Sequence, residues 1–271
     1  MISPNLRFVC IVTHHKTGTV WMRRVFTRIA AALGIPFGAV LSPAFVRGLP
    51  EAGRAIVFRA TGTLPDRLSG RKDLAVLHLI RDPRDILLSG CAYHLATTEP
   101  AEQFLYQPRA DLGGLTYQQH LQRLPTDIDR LMFEMAGKHA DTLAEMRNWD
   151  YSRAGNVELR YEDLMADTDC ALFRTALRQL GFSADEAKMG AKIFGAHSLF
   201  GGLSQPEMRT GRLATHVKSG GRLARWRAEL PHAVAAAYAQ RHGADLISLG
   251  YEADLSWADR LFSIKNEVRT A

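Results

Sequence analysis

Lys16-Thr17-Gly18-Thr19-Val20-Trp21 places a cation, two hydroxyls and a glycine between an apolar run, residues 7–12, and the first helical pattern of the chain. That mixture at the start of a helix suits an anion. Free backbone N–H groups and the positive helix end favour phosphate or sulfate, Gly18 lets the backbone approach closely, and Lys16 adds a point charge. A Walker A loop is excluded, because it needs glycines where Cys10 and His15 stand. A second segment, Arg81-Asp82-Pro83-Arg84-Asp85-Ile86-Leu87-Leu88-Ser89, follows another apolar run. Pro83 suits the first turn of a helix and Asp85 its positive end. Arg81 is thereby left at the carboxyl edge of a strand, where open α/β sheets bind ligands, with Ser89 one or two turns into the helix.

These residues need strands that end at one sheet edge and helices that start there. Short runs at 7–12, 55–58, 74–80 and 157–160 are apolar and β-branched, too short for buried helices, and bounded by polar or turn residues. They are expected as interior strands of a parallel sheet. Trp21, Val25, Ile29 and Ala32 share a helical face, as do Leu172, Ala176 and Leu180 before Gly181. Residues 29–46 read as a helix end plus an apolar loop, and further helices are expected around 117–122, 129–149, 168–180, 184–194 and 232–242. Strand and helix alternation predicts an α/β fold of three layers, a central parallel β-sheet flanked by helices.

The 271 residues, 46% hydrophobic and 23% charged, are enough to bury a sizeable core and exclude disordered, collagen-like and coiled-coil classes. With no repeat, low-complexity tract or Gly/Ser linker, a single domain over 1–271 is expected. Thirty-four basic against 28 acidic residues give a net charge of +6, which points to an anionic ligand. The like-charge blocks of a nucleic-acid tail are missing, so no nucleic-acid partner is expected. Cys10, Cys91 and Cys170 are too scattered for a disulfide framework or a zinc site. No secretory leader, membrane span or metal is expected, and the reading is a cytoplasmic protein of unassigned oligomeric state.

The order and chemistry of these segments resemble the cytosolic-type sulfotransferases, which move a sulfuryl group from 3′-phosphoadenosine 5′-phosphosulfate (PAPS) to a hydroxyl or amine and leave 3′-phosphoadenosine 5′-phosphate (PAP). Lys16 through Trp21 matches the family's phosphosulfate loop K-[ST]-G-T-x-W, and Arg81 through Ser89 its 3′-phosphate motif R-[DN]-P-[RK]-D-x-x-x-S. The resemblance implies a P-loop-like sulfotransferase fold, with Lys16, Thr17, Gly18, Thr19, Val20, Trp21, Arg81 and Ser89 on the donor. Arg160-Tyr161-Glu162-Asp163-Leu164 resembles the family's Y-E-D-[LM] element, and His197-Ser198-Leu199-Phe200 its H-T-S-F segment. Tyr161, Ser198 and Phe200 are the implied adenine neighbours, alongside a stack on Trp21. His216-Val217-Lys218-Ser219-Gly220, with Trp226 downstream, resembles the C-terminal loop R-K-G-x-x-G-x-W over the 3′-phosphate. Here Lys218 stands for arginine, Ser219 for lysine and Ala224 for the later glycine, and Trp226 arrives one residue late.

A larger departure concerns the catalytic base. Where the family has K-T-H-L-P, this chain reads Arg59-Ala60-Thr61-Gly62-Thr63-Leu64-Pro65, and a threonine hydroxyl does not titrate near neutral pH. His15, beside the loop lysine, is the expected substitute because its ordinary pKa near 6.5 leaves it able to take a proton at pH 7. His94, Asp66 and His14 follow as alternatives. The expected acceptor is a small molecule, lipid or carbohydrate whose identity the sequence does not give, with loops at 36–49 and 99–115 expected to face it. Two other functions stay open: a non-catalytic protein binding a nucleotide or sulfated ligand, motivated by the missing histidine, and a kinase-like phosphoryl transferase, which the missing Walker glycines disfavour.

Overall fold

The computed structural model describes residues 8–39, 53–64, 66–199 and 222–261. In chain order the elements are β1 (Phe8–Thr13), α1 (Thr19–Leu33), β2 (Phe37–Ala39), β3 (Ala55–Arg59), α2 (Asp66–Ser69), β4 (Leu74–Ile80), α3 (Pro83–Ala96), α4 (Tyr117–Arg123), α5 (Asp127–Ala136), α6 (Lys138–Arg147), β5 (Asn156–Arg160), α7 (Tyr161–Ala166), α8 (Ala171–Gln179), α9 (Ala184–Ala196), α10 (Trp226–Glu229) and α11 (His232–Ser248). The chain divides into two compact units. The first comprises the described residues of Met1–Arg81 and Asn148–Gly221, the second those of Asp82–Arg147 and Arg222–Ala271.

The first unit is a five-stranded parallel sheet in the order β2-β3-β1-β4-β5. Every residue of β1 and β4 is buried, as expected for interior strands covered on both faces. On one face Val9, Ile11, Leu77 and Leu79 pack with Phe26 and Ile29 of α1, Phe173 and Leu177 of α8 and Phe194 of α9. On the other, Phe8, Cys10, Val57 and Val76 pack with Leu68 of α2 and Trp149. The chain leaves β1 toward β2 and β3 on one side, and leaves β4 toward β5 on the other. The carboxyl ends of β1 and β4 therefore form the topological switch point, the place where open α/β sheets leave a crevice.

The second unit is helical. Leu87 and Cys91 of α3, Leu131 and Met135 of α5, and Val234 and Tyr238 of α11 share a core with Trp226 and Trp257.

Four expectations are corrected. Residues 37–39, expected within an apolar loop, form the edge strand β2, paired with β3 in parallel. Ala32 is exposed, because the α1 stripe is carried by the bulkier Met22, Val25, Phe26 and Ile29. The helix expected over 129–149 is two, α5 and α6, broken at Gly137, where a Cβ would sit 2.7 Å from the Tyr117 hydroxyl. The helix expected over 168–180 starts only at Ala171. Cys170 takes φ 59°, and the Asp167 carboxylate accepts from the Leu172 and Phe173 N–H groups.

Candidate active site

After Thr13 the chain turns through residues 14–18 into α1, and the turn is built on the His14 backbone. The Thr17 hydroxyl accepts from the His14 N–H at 2.9 Å and donates to the His14 carbonyl at 3.0 Å. The Thr19 hydroxyl donates to the same carbonyl at 2.9 Å and lies 3.0 Å from that of Thr13. Lys16 adopts φ 61° and Gly18 φ 103°, so left-handed residues interrupt the turn and its peptides fold back on themselves. Such backbone costs a non-glycine residue about 1–2 kcal/mol and is retained where the surroundings enforce it. No side chain caps α1, and its first turn carries no acid. The loop is thus a backbone concavity at the positive end of a helix.

Arg81, at the end of β4, reaches this loop. Its Nη1 donates to the Lys16 carbonyl at 3.0 Å across 65 residues of sequence. The guanidinium lies 4.5 Å from the centre of the Tyr161 ring. Tyr161 opens α7 directly after β5, and its ring closes on Gly18, where a Cβ would stand 3.1 Å from Tyr161 Cδ2. The edge of Trp21 meets Tyr161 at 6.0 Å, and its ring stacks on Phe194 at 5.0 Å. Trp21 Nε1 is buried with no hydrogen-bond partner among the described residues. Ser198, buried one turn beyond Phe194, donates its hydroxyl to the Gly195 carbonyl at 2.7 Å at the end of α9. Of the residues expected at the site, the loop, Arg81, Trp21 and Tyr161 are therefore brought into one cluster, with Ser198 on the segment that follows Phe194.

No family model matches the sequence, and no curated protein matches it. Solved structures do match. A mouse sulfotransferase, SULT7A1, complexed with PAP superposes with a TM-score of 0.54 at 16% identity, over 89% of this chain and 84% of that one. Retinol dehydratase in complex with androsterone and the inactive cofactor PAP gives 0.50 at 12% identity, over 91% and 82%. The fold is the sulfotransferase fold.

Within this sulfotransferase fold the candidate bases have different surroundings. His15 is partly exposed on the loop beside Lys16. His14 is fully buried, with Nε2 2.8 Å from Nε2 of His78. His94 lies in the second unit, also fully buried, with Nδ1 2.9 Å from the Glu134 carboxylate, which accepts from the Tyr117 hydroxyl as well. Asp66 opens α2, but its side chain lies outside the described residues, as do Phe200, Lys218, Ser219 and Gly220. Thr63, at the family's histidine position, is held by Arg59, whose Nε donates to its carbonyl at 3.0 Å and Nη2 to its hydroxyl at 3.1 Å.

In the second unit Ser89 sits half-buried on α3. Asp82 caps this helix by accepting from the Arg84 N–H, and Arg84 is buried against Asp82 and Glu252 with its guanidinium 3.4 Å from the centre of the Trp226 ring. Asp85 accepts from the Trp226 N–H at 3.0 Å. Ala224, which replaces the family's glycine, still takes φ 49°. Sequence reasoning passed over His78 and Glu158, paired at 3.1 Å. A histidine inside the apolar run Leu74–Ile80 is the signal that could have drawn attention to them.

Proposed function

We propose that the chain is a PAPS-dependent sulfotransferase acting on a hydroxyl or amine of a small-molecule, lipid or carbohydrate acceptor. The observation that carries this reading is the Arg81 bond to the Lys16 carbonyl. It joins two motifs, each a donor motif by resemblance, at the switch point of a sulfotransferase fold. The PAP present in both solved structures named above supports the choice of donor. The residues fit such a ligand. Gly18, at φ 103°, lies so close to Tyr161 that a Cβ would stand 3.1 Å from its ring, and the first turn of α1 carries no acid to compete with an anion.

When bound, PAPS would supply an activated sulfuryl group, with PAP as the leaving group. Lys16 places its ammonium where charge develops on the bridging oxygen, and the N–H groups of Gly18 through Trp21 hold the 5′-phosphate in line with the acceptor. Arg81 binds the 3′-phosphate. Tyr161, Ser198 and the face of Trp21 opposite Phe194 take the adenine. His15 removes the acceptor proton. No protein-bound metal is assigned a role, since cationic side chains can stabilise the leaving group.

Calorimetry with PAP and with adenosine 5′-monophosphate tests this. The wild type is expected to prefer PAP, and Arg81→Ala to lose about 1.5–3 kcal/mol of that preference, roughly one to two decades in affinity. Equal affinity of the wild type for the two nucleotides would sink the reading. A second reading, donor binding without turnover, draws on Thr63 and Arg59 at the family's histidine position. Release of labelled sulfate from PAPS to an acceptor pool separates the two.

A further inference from the structure

Beneath the loop runs a chain of three side chains, the buried His14 and His78 and the solvent-facing Glu158. Val12, His78 and Glu158 are register partners across β1, β4 and β5, and His14 lies two residues beyond Val12 on the same face. Glu158 Oε2 is 3.1 Å from His78 Nδ1, and His78 Nε2 is 2.8 Å from His14 Nε2. His78 is clamped flat on the Trp149 ring at 4.3 Å, with Tyr151 edge-on at 5.7 Å. Facing nitrogens at this distance share a hydrogen, and among the described residues no group of His, Cys, Asp and Glu could hold a metal ion.

The hydrogens follow from elimination. A carboxylate only accepts, so His78 carries its hydrogen on Nδ1 and turns a lone pair on Nε2 toward His14. Burial holds the His78 pKa down to about 4, so the ring is neutral at pH 7. His14 must then donate from Nε2, which fixes the orientation of its ring. The His14 backbone in turn bonds the Thr17 and Thr19 hydroxyls that shape the loop.

We propose that His78 is a positioning residue for the anion loop: set by Glu158, it locks His14, on whose backbone the loop is built. The proposal rests on the reading above that this loop holds the donor's 5′-phosphate. Its readout is the ratio of PAP affinity to that of adenosine 3′-monophosphate, which lacks the 5′-phosphate, measured by calorimetry beside the melting temperature.

His78→Asn keeps a donor for Glu158 but cannot reach His14, and is expected to shrink the ratio about tenfold while 3′-monophosphate affinity stays unchanged. His78→Gln, whose amide oxygen reaches the Nε2 position, is expected to restore the ratio to within about threefold. A role confined to general stability would lower the melting temperature and leave the ratio alone. A folded His78→Asn with the wild-type ratio overturns the proposal by itself. A wild type with no 5′-phosphate preference overturns the loop reading and this proposal together. Should His78→Asn not fold, Glu158→Leu decides: a ratio reduced about threefold supports the positioning role, and an unchanged one overturns it.

Discussion

Removing the Lys16 ammonium is expected to separate the proposed catalytic role from binding. Its proposed contribution grows as the bridging oxygen gains charge, so Lys16→Met is expected to lower kcat by about two to three decades and PAP affinity by less than about tenfold. Steady-state kinetics beside calorimetry check this, and an unchanged kcat with a raised KM would reduce Lys16 to an ordinary anion contact. For the base, His15→Ala is expected to cut the rate by about two to four decades with PAP binding intact. His14 and His94 are fully buried and bound through their rings, whereas His15 is partly exposed on the loop. Near-normal turnover in His15→Ala would remove it from the mechanism.

Individual elements depend on a few backbone positions. Gly137 separates α5 from α6 with φ −102° and ψ −120°, and its α-carbon faces the Tyr117 hydroxyl, which is engaged with Glu134. Gly137→Ala would push a methyl group into that hydroxyl, so a loss of about 1–3 kcal/mol is expected, read as a lower denaturant midpoint. An unaffected midpoint would mean that the contact relaxes freely. The same position explains why one helix was expected where two exist. The polar and apolar spacing of residues 127–147 continues through Gly137, and only the approach of Tyr117 from α4 makes the break visible. β2 escaped notice for a related reason: three residues carry too little periodicity, and their strand geometry comes from pairing with β3.

At the scale of the molecule, each unit buries a histidine that stays neutral. His78 in the first unit is held down to about 4 by burial, partly opposed by Glu158. His139 in the second is held down to about 3 by burial, with His242 adding in the same direction, and its Nε2 lies 2.8 Å from the Tyr238 hydroxyl. Both titrate near 6.5 when unfolded. Between pH 6.5 and about 4 the unfolded chain therefore binds more protons than the folded one, and stability falls as the pH drops through that window. Above pH 6.5 the effect vanishes. Denaturant unfolding at pH 7.5 and 5 should show the loss, with a slope approaching about 1.4 kcal/mol per pH unit for each histidine. His139→Met should flatten the slope by one histidine's share. Equal stability at both pH values would show that these rings are protonated in the folded state or reach solvent. Among the described residues no helix is long and apolar enough to cross a membrane.

The chain of residues alone determined the interior strands and the two segments proposed to bind an anion. The runs 8–12 and 74–80 are apolar on both faces apart from His78, with Lys16 a few residues beyond the first and Arg81 next after the second. Spacing along the backbone carries that kind of information, because a strand buried on both faces is apolar at nearly every position and ligand residues lie just beyond its carboxyl end. What joins the segments was decided by the tertiary structure. The Arg81 bond to the Lys16 carbonyl, the Tyr161 ring on Gly18 and the chain from Glu158 through His78 to His14 unite residues on different strands. Such neighbours follow from strand order and register, which pairing and packing choose together. No local pattern along the chain encodes which strand lies beside which.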